Sequence, residues 1–146
     1  MSNSRSLARR FATQALYQWQ MAGQNLGDIE TQFAVEYDMK GVDKKYFKEL
    51  LHGIPCYLSE LDALIQPLLD RNIEEVDPVE RAILRLGSYE LVYRKDVPYR
   101  VVINESVELA KTFGAEQSHK YVNSILDGVA RKIRDVEVAA AAAKKK

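Results

Sequence analysis

The chain has 146 residues and a mass of 16.6 kDa, with 47% hydrophobic and 29% charged residues, which suits one compact domain or two small halves sharing a core. That balance excludes a disordered chain, and no apolar run approaches the roughly 18 residues a membrane span requires. The one cysteine, Cys56, excludes an internal disulfide framework and a cysteine-based zinc site, and its apolar surroundings suggest an inert, packed thiol. The start MSNSRSLARRFATQ is basic without an apolar stretch behind it, so no secretory signal is read and a cytoplasmic location is expected.

The 21 Lys and Arg cancel the 21 Asp and Glu, so any attraction for an anion must be local. Residues 1–20 carry Arg5, Arg9 and Arg10 and no acid, whereas Asp28, Glu30, Glu36 and Asp38 follow with no base between them. This segregation suggests an anion-binding face at the N-terminal end.

Apolar spacing is helical almost throughout. Ala8, Phe11, Ala12, Ala15, Leu16 and Trp19 form one stripe, leaving Arg9, Arg10, Thr13 and Gln14 on the remaining surface. A short segment follows with Ile29, Phe33 and Tyr37, after the breakers Gly27 and Asp28. A long segment then opens at Asp43, a natural N-cap, and runs to Leu68, with Pro55 and Pro67 expected to kink or end it. Asp77-Pro78-Val79-Glu80 marks the clearest helix start, and the RAILRLGSYELVY behind it is apolar around most of its circumference. This helix should be central and buried. A fifth helix ends at Gly114, suited to a left-handed C′ position, and a sixth carries Tyr121, Val122, Ile125, Leu126, Val129 and Ile133. No period-2 run bounded by turn residues is present. The expectation is an all-α fold, with the Ala/Lys stretch from 138 to 146 a solvated or frayed tail.

The catalytic motifs sought are missing. His52 and His119 lie on different predicted helices without metal-ligand spacing, the glycines form no phosphate loop, and no serine sits in a nucleophile elbow. Neither an enzyme nor a metal or cofactor is read. Three features could hold unpaired RNA. Arg5, Arg9 and Arg10 offer guanidinium groups to phosphates. Lys111, Gln117, Ser118, Lys120 and Tyr121 bracket the junction of the last two helices, mixing charge with a ring that is equally suited to the core. Ser118 or Gln117 would cap the sixth helix, and Gln14 and Asn123 offer amides to base edges. Glu74, Glu75, Asp77, Glu80, Arg81 and Arg85 gather mixed charge where either a protein partner or water would sit.

The motifs ILRLGSYEL, VPYRVVINESVELAK and KYVNSILD, in that order, with ARRFATQALYQWQ and KKYFKELLHGI before them, strongly resemble the NusB family of bacterial transcription antitermination factors. The likeness runs from about Ser4 to Arg134. It implies two packed three-helix bundles, at about 4–69 and 78–134, within one domain spanning 1–137. It further implies binding of the boxA element of RNA together with NusE, a small-subunit ribosomal protein, and assembly with other Nus factors and RNA polymerase to support ribosomal RNA transcription. On this resemblance the RNA side comprises Arg5, Arg9, Arg10, Gln14 and Tyr17 with the segment Gln117 to Tyr121. The NusE side comprises Leu68, Arg71, Glu74, Glu75, Glu80 and Arg81. Ser6 and Leu7 stand where relatives often carry further basic residues. Arg9 and Arg10 are expected to tolerate alanine with little loss of stability, and about four neutralised phosphates would give a logarithmic salt slope of roughly −3. The alternatives are a helical protein-interaction module, such as a homodimer, and the RNA-binding domain of an RNA-modifying enzyme.

Overall fold

A computed structural model describes residues 3–144. Eight α-helices and two 3₁₀ turns, with no strand, make up the regular structure of the described residues. The helices are α1 (Asn3–Ala22), α2 (Leu26–Glu36), α3 (Lys44–Cys56), α4 (Leu58–Ile65), α5 (Pro78–Tyr93), α6 (Tyr99–Phe113), α7 (Ser118–Ile133) and α8 (Asp135–Lys144). The turns, Gln66–Leu68 and Ile73–Glu75, lie between α4 and α5. None of these helices is long and apolar enough to cross a membrane.

Local signals set the helix starts. Asp43 accepts the Tyr46 N–H, and Asp77 accepts those of Val79 and Glu80 ahead of Pro78 at the first helical position. The long segment after Asp43 breaks as Pro55 foreshadows: α3 ends at Cys56 and α4 begins at Leu58. Asn25 caps α2, so Gly27 and Asp28 lie inside its first turn rather than before it. Cys56 is exposed, correcting the expectation of a packed thiol.

Two hydrophobic clusters meet on α5. One gathers α1–α4 around Phe33, Phe47, Leu50 and Leu51 and uses Ala82, Leu86 and Tyr89 of α5. The other gathers α6 and α7 around Val102, Val122, Leu126 and Val129 and uses Ile83, Leu84 and Leu91. Residues 81–91 of α5 are all buried, as its continuous apolar character implies. Gly87 permits the close approach: a Cβ there would lie 2.7 Å from Leu126 Cδ1 and 2.9 Å from Ser106 Oγ. The α4 helix serves both clusters, giving Leu61 to the first and Ile65 to the second.

The tail is ordered as far as it is described. Residues 135–144 form α8, and Val138 and Ala141 pack against the second cluster; residues 145 and 146 lie outside the described residues, as do residues 1 and 2 of the expected domain. Glu137 fastens this helix, accepting the Tyr99 N–H at 2.8 Å and pairing with Arg134 at 2.7 Å. Desolvation opposes the charge on Glu137, yet these bonds outweigh it and hold the carboxyl below its ordinary pKa.

Two outcomes follow from this packing. Gly87→Val should destabilise the protein by about 1–3 kcal/mol in urea unfolding, because both neighbours must move. A carboxyl with a lowered folded-state pKa contributes stability that is present above its unfolded value and lost as pH falls through the folded one. The docking of α8 should therefore weaken below the ordinary glutamate range, seen as faster amide exchange in 135–144, and Glu137→Gln should remove that acid dependence.

Candidate nucleic-acid interface

The rotation of α1 divides its arginines. At 3.6 residues per turn, Arg5 and Arg9 share one side, while Arg10, Gln14, Tyr17 and Met21 lie roughly 120–180° from Arg5. The Arg5 side faces inward. Arg9 is only 4% exposed; its Nε and Nη2 each donate to the fully buried Glu90 carboxylate at 2.9 Å, and its Nη1 donates to Glu105 at 3.1 Å. Tyr46 donates its hydroxyl to the same Glu90 carboxylate. Burial disfavours the charge on Arg9, but the Glu90 bonds and surrounding negative charge prevail and raise its pKa further. Arg5 stacks 4.4 Å from the Tyr46 ring centroid, between Asp43 at 3.9 Å and Asp96 at 3.7 Å. Arg9 is therefore a core residue, not the free phosphate ligand that its sequence context suggests, and Thr13 is buried with it, donating to the Arg9 carbonyl at 2.8 Å.

The opposite side of α1 is open. Arg10 is exposed, Gln14 is half-buried and Tyr17 is 40% exposed. Gln14, Tyr17 and Met21 line a groove of about 430 Å³ whose far wall includes Tyr37 of the α2 end, Val79 of α5 and Phe113 of α6. The groove thus joins the α1 face to the C-terminal end of α6, two residues beyond Lys111. From there the 114–117 loop leads to α7, with Lys111, Gln117 and Lys120 all exposed. Tyr37, which by sequence belongs only to an apolar stripe, and Phe113 join this face. Their alignment with Tyr17 depends on how three helices meet, which no local pattern reports.

Two residues of the loop have structural roles. Ser118 is buried and donates to Glu80 at 2.6 Å, while the backbone cap position Gln117 makes no side-chain cap bond. Neither therefore caps α7 as expected; Ser118 instead latches α7 to the first turn of α5. Gly114 has an ordinary φ of −91° and is not left-handed. A Cβ there would lie 2.7 Å from Ser118 Cβ and 2.8 Å from the Ala110 carbonyl oxygen, so close approach accounts for this glycine.

The expected partner surface adjoins this region. Arg71 and Glu75 are exposed, and Leu68 is partly exposed with its side chain against Gly128. Glu74 is exposed too, but its carbonyl accepts from the buried Arg81, which also bonds the Val76 carbonyl. Arg81 is thus withdrawn from the docking surface because it satisfies loop carbonyls. Tyr121 is half-buried, with the Arg71 guanidinium 5.9 Å from its ring centroid, and its burial raises the hydroxyl pKa. The expected RNA and partner surfaces meet at this pair.

Residues 6–131 match the NusB family. The chain belongs to that family. It is 55% identical to the transcription antitermination protein NusB of Hahella chejuensis over 97% of this chain and 95% of that protein. It is 57% identical to the protein of the same name from Nitrosococcus oceani, over 94% and 92%. Among solved structures, NusB of T. maritima matches with a TM-score of 0.79 at 33% identity, covering 95% of this chain and 99% of that one. A NusB in a crystal structure of antitermination factors NusB and NusE with dsRNA matches with a TM-score of 0.77 at 28% identity, over 90% and 99%.

The division of the NusB-type arginines yields a paired prediction. Arg9→Ala should cost about 3–5 kcal/mol in chemical denaturation, since it strands a buried carboxylate. Arg10→Ala should change stability by no more than about 0.5 kcal/mol while weakening RNA binding in a filter or anisotropy titration.

Proposed function

We propose that this protein is a transcription antitermination factor that binds a boxA-type RNA together with NusE and supports ribosomal RNA transcription in the cytoplasm. It acts by assembly rather than catalysis, joining other Nus factors and RNA polymerase in a larger complex. The observation that carries the reading is the open face of α1, where Arg10 is exposed and Gln14 and Tyr17 line a groove that reaches Phe113 at the end of α6, next to the loop that carries the exposed Gln117. Membership of the NusB family supports it, as does a structural relative crystallised with NusE and RNA.

The chemistry divides between the two kinds of side chain. Arg10, Lys111 and Lys120 hold phosphates and release counterions, which supplies affinity without reading sequence. Gln14 and Gln117 offer amides to base edges, and Tyr17 and Tyr121 offer ring faces to unstacked bases. Leu68, Arg71, Glu74, Glu75 and Glu80 form the NusE side, where a partner would extend the surface available to RNA. The clusters on either side of α5 act as two halves of one domain.

Of the five cations Arg5, Arg9, Arg10, Lys111 and Lys120, Arg9 is buried and Arg5 is held between two carboxylates, so three phosphate contacts remain. The logarithmic salt slope for single-stranded RNA should then be about −2, at roughly −0.7 per phosphate. Fluorescence anisotropy with a boxA-type single strand, a scrambled strand and a duplex of the same sequence checks this, each with and without NusE. Preference for the unscrambled single strand, strengthened by NusE, is the expected result. Equal binding to both single strands, or none with NusE present, would sink the proposal and favour a protein-interaction module. A preference for the duplex would keep the RNA role and overturn the single-strand assignment.

A further inference from the structure

The exposed seam of the α6–α7 hairpin bears a second set of nucleic-acid groups beyond the loop that joins its helices. Arg100, Asn104 and Lys111 fall within about 40° of one another around α6, and Lys120, Asn123 and Arg131 within about 80° around α7. All six are exposed. The helices pack along their length and are joined by the short 114–117 loop, so Lys111 and Lys120 mark one end of the seam and Arg100 and Arg131 the other. Eleven residues separate the basic pair on each helix, a span of about 16 Å. At the far end Arg100, Asn104, Asn123 and Arg131 line a groove of about 330 Å³, closed on one side by Val138 and Ala142 of α8.

The geometry points to a single-stranded RNA track along this seam, continuing the RNA face from Lys111 and Lys120 to the groove between Arg100 and Arg131. This proposal rests on the RNA-binding reading above. Two acids interrupt the track, Glu108 paired with Lys111 at 3.6 Å and Asp127 paired with Arg131 at 2.8 Å. Both pairs are exposed, and such pairs are weak enough to yield to a phosphate. Arg100 makes no ion pair among the described residues and lies 5.5 Å from the Tyr99 ring. Four cations against these two acids and the exposed Glu116 of the joining loop leave the strip positive by one on a chain of zero formal charge.

The chemistry favours RNA over a protein partner. Protein docking sites centre on aromatic or large aliphatic anchors set in pockets, whereas the exposed polar groups in this groove are two guanidiniums, two amides and the Asp127 carboxylate paired with Arg131. Those groups suit a sugar–phosphate backbone, with asparagines able to meet phosphate oxygens, ribose hydroxyls or a base edge. The groove volume lies at the lower end of the roughly 300–1,000 Å³ of ligand clefts, which fits a nucleotide rather than a helix.

The test compares a core boxA-type RNA with RNAs extended by unstructured nucleotides at the 5′ or the 3′ end, in anisotropy titrations with NusE present. One extended RNA should bind more tightly than the core to the wild-type protein. The Arg100→Ala/Arg131→Ala variant should lose that gain, keep core affinity and melt like wild type. Its salt slope on the extended RNA should become shallower by about 1.4, two phosphates at roughly 0.7 each. Arg100→Lys/Arg131→Lys should retain the gain, since charge is what the phosphates require. Equal wild-type binding of core and extended RNAs overturns the track, as does a gain that survives in the alanine variant. If wild type binds no core RNA, the antitermination reading falls and the track with it.

Discussion

The buried carboxylate of Glu90 is the point on which the arrangement depends. It receives Arg9 of α1 and Tyr46 of α3 from its place on α5, and Arg9 reaches onward to Glu105 of α6, which also accepts from Ser6 at 2.7 Å. Four helices are thereby tied through one network. A buried charge is tolerable only when its hydrogen-bonding capacity is met, and a network left half satisfied would be worse than an apolar core. An apolar stripe alone tolerates some rotation of a helix about its axis, but a guanidinium bonded through two nitrogens to a fixed carboxylate does not. The Arg9–Glu90 contact therefore decides which face of α1 meets solvent, and so which residues are available to a ligand.

Other arginines work in the same way at the ends of elements. Arg134 donates to the carbonyls of Glu90, Leu91, Arg94 and Val97, closing the end of α5 and the turn after it. Arg81 donates to the Glu74 and Val76 carbonyls, and Arg85 joins Asp62 of α4 to Gln20 of α1. Helix ends and tight turns leave carbonyls without partners, and a planar group with five donors can serve several at once where a lysine cannot. This use of arginine alters the outer charge. Among the described residues four arginines are buried, against the single acid Glu90, so the surface is more acidic than the formal zero suggests. Long-range steering of RNA is then absent, and attraction falls to the few cations that remain outside.

What was legible in the sequence was local. Asp43, Asp77-Pro78 and the break at Pro55 act within a few residues, and the apolar periods mark the buried side of each helix without reference to its neighbours. The continuous apolar character of 81–93 even identified the central helix. Arg9 looks solvated by sequence because its partner is 81 residues away, and only the opposing helix shows that a charged residue beside an apolar stripe is buried. Ser118 and Arg81 follow the same logic, since Glu80 and the 74–76 carbonyls reach them only through tertiary packing. The Ala/Lys segment differs in another way: low complexity suggests a frayed end, while Glu137 and Val138 just before the alanines, together with Ala141, dock a helix.

The first turn of α7 bears on both expected surfaces. Ser118 is latched to Glu80, on the partner side, and Tyr121 lies against Arg71 of the same side, while Gln117 and Lys120 between them face outward toward the RNA side. Gly114 lets the loop pass close enough to Ser118 for this turn to form at all. Any restraint placed on Glu80 or Arg71 would therefore reach the turn that carries Gln117 and Lys120, and a restraint on that turn would reach Glu80 and Arg71 in return. Linkage requires any such coupling to be reciprocal.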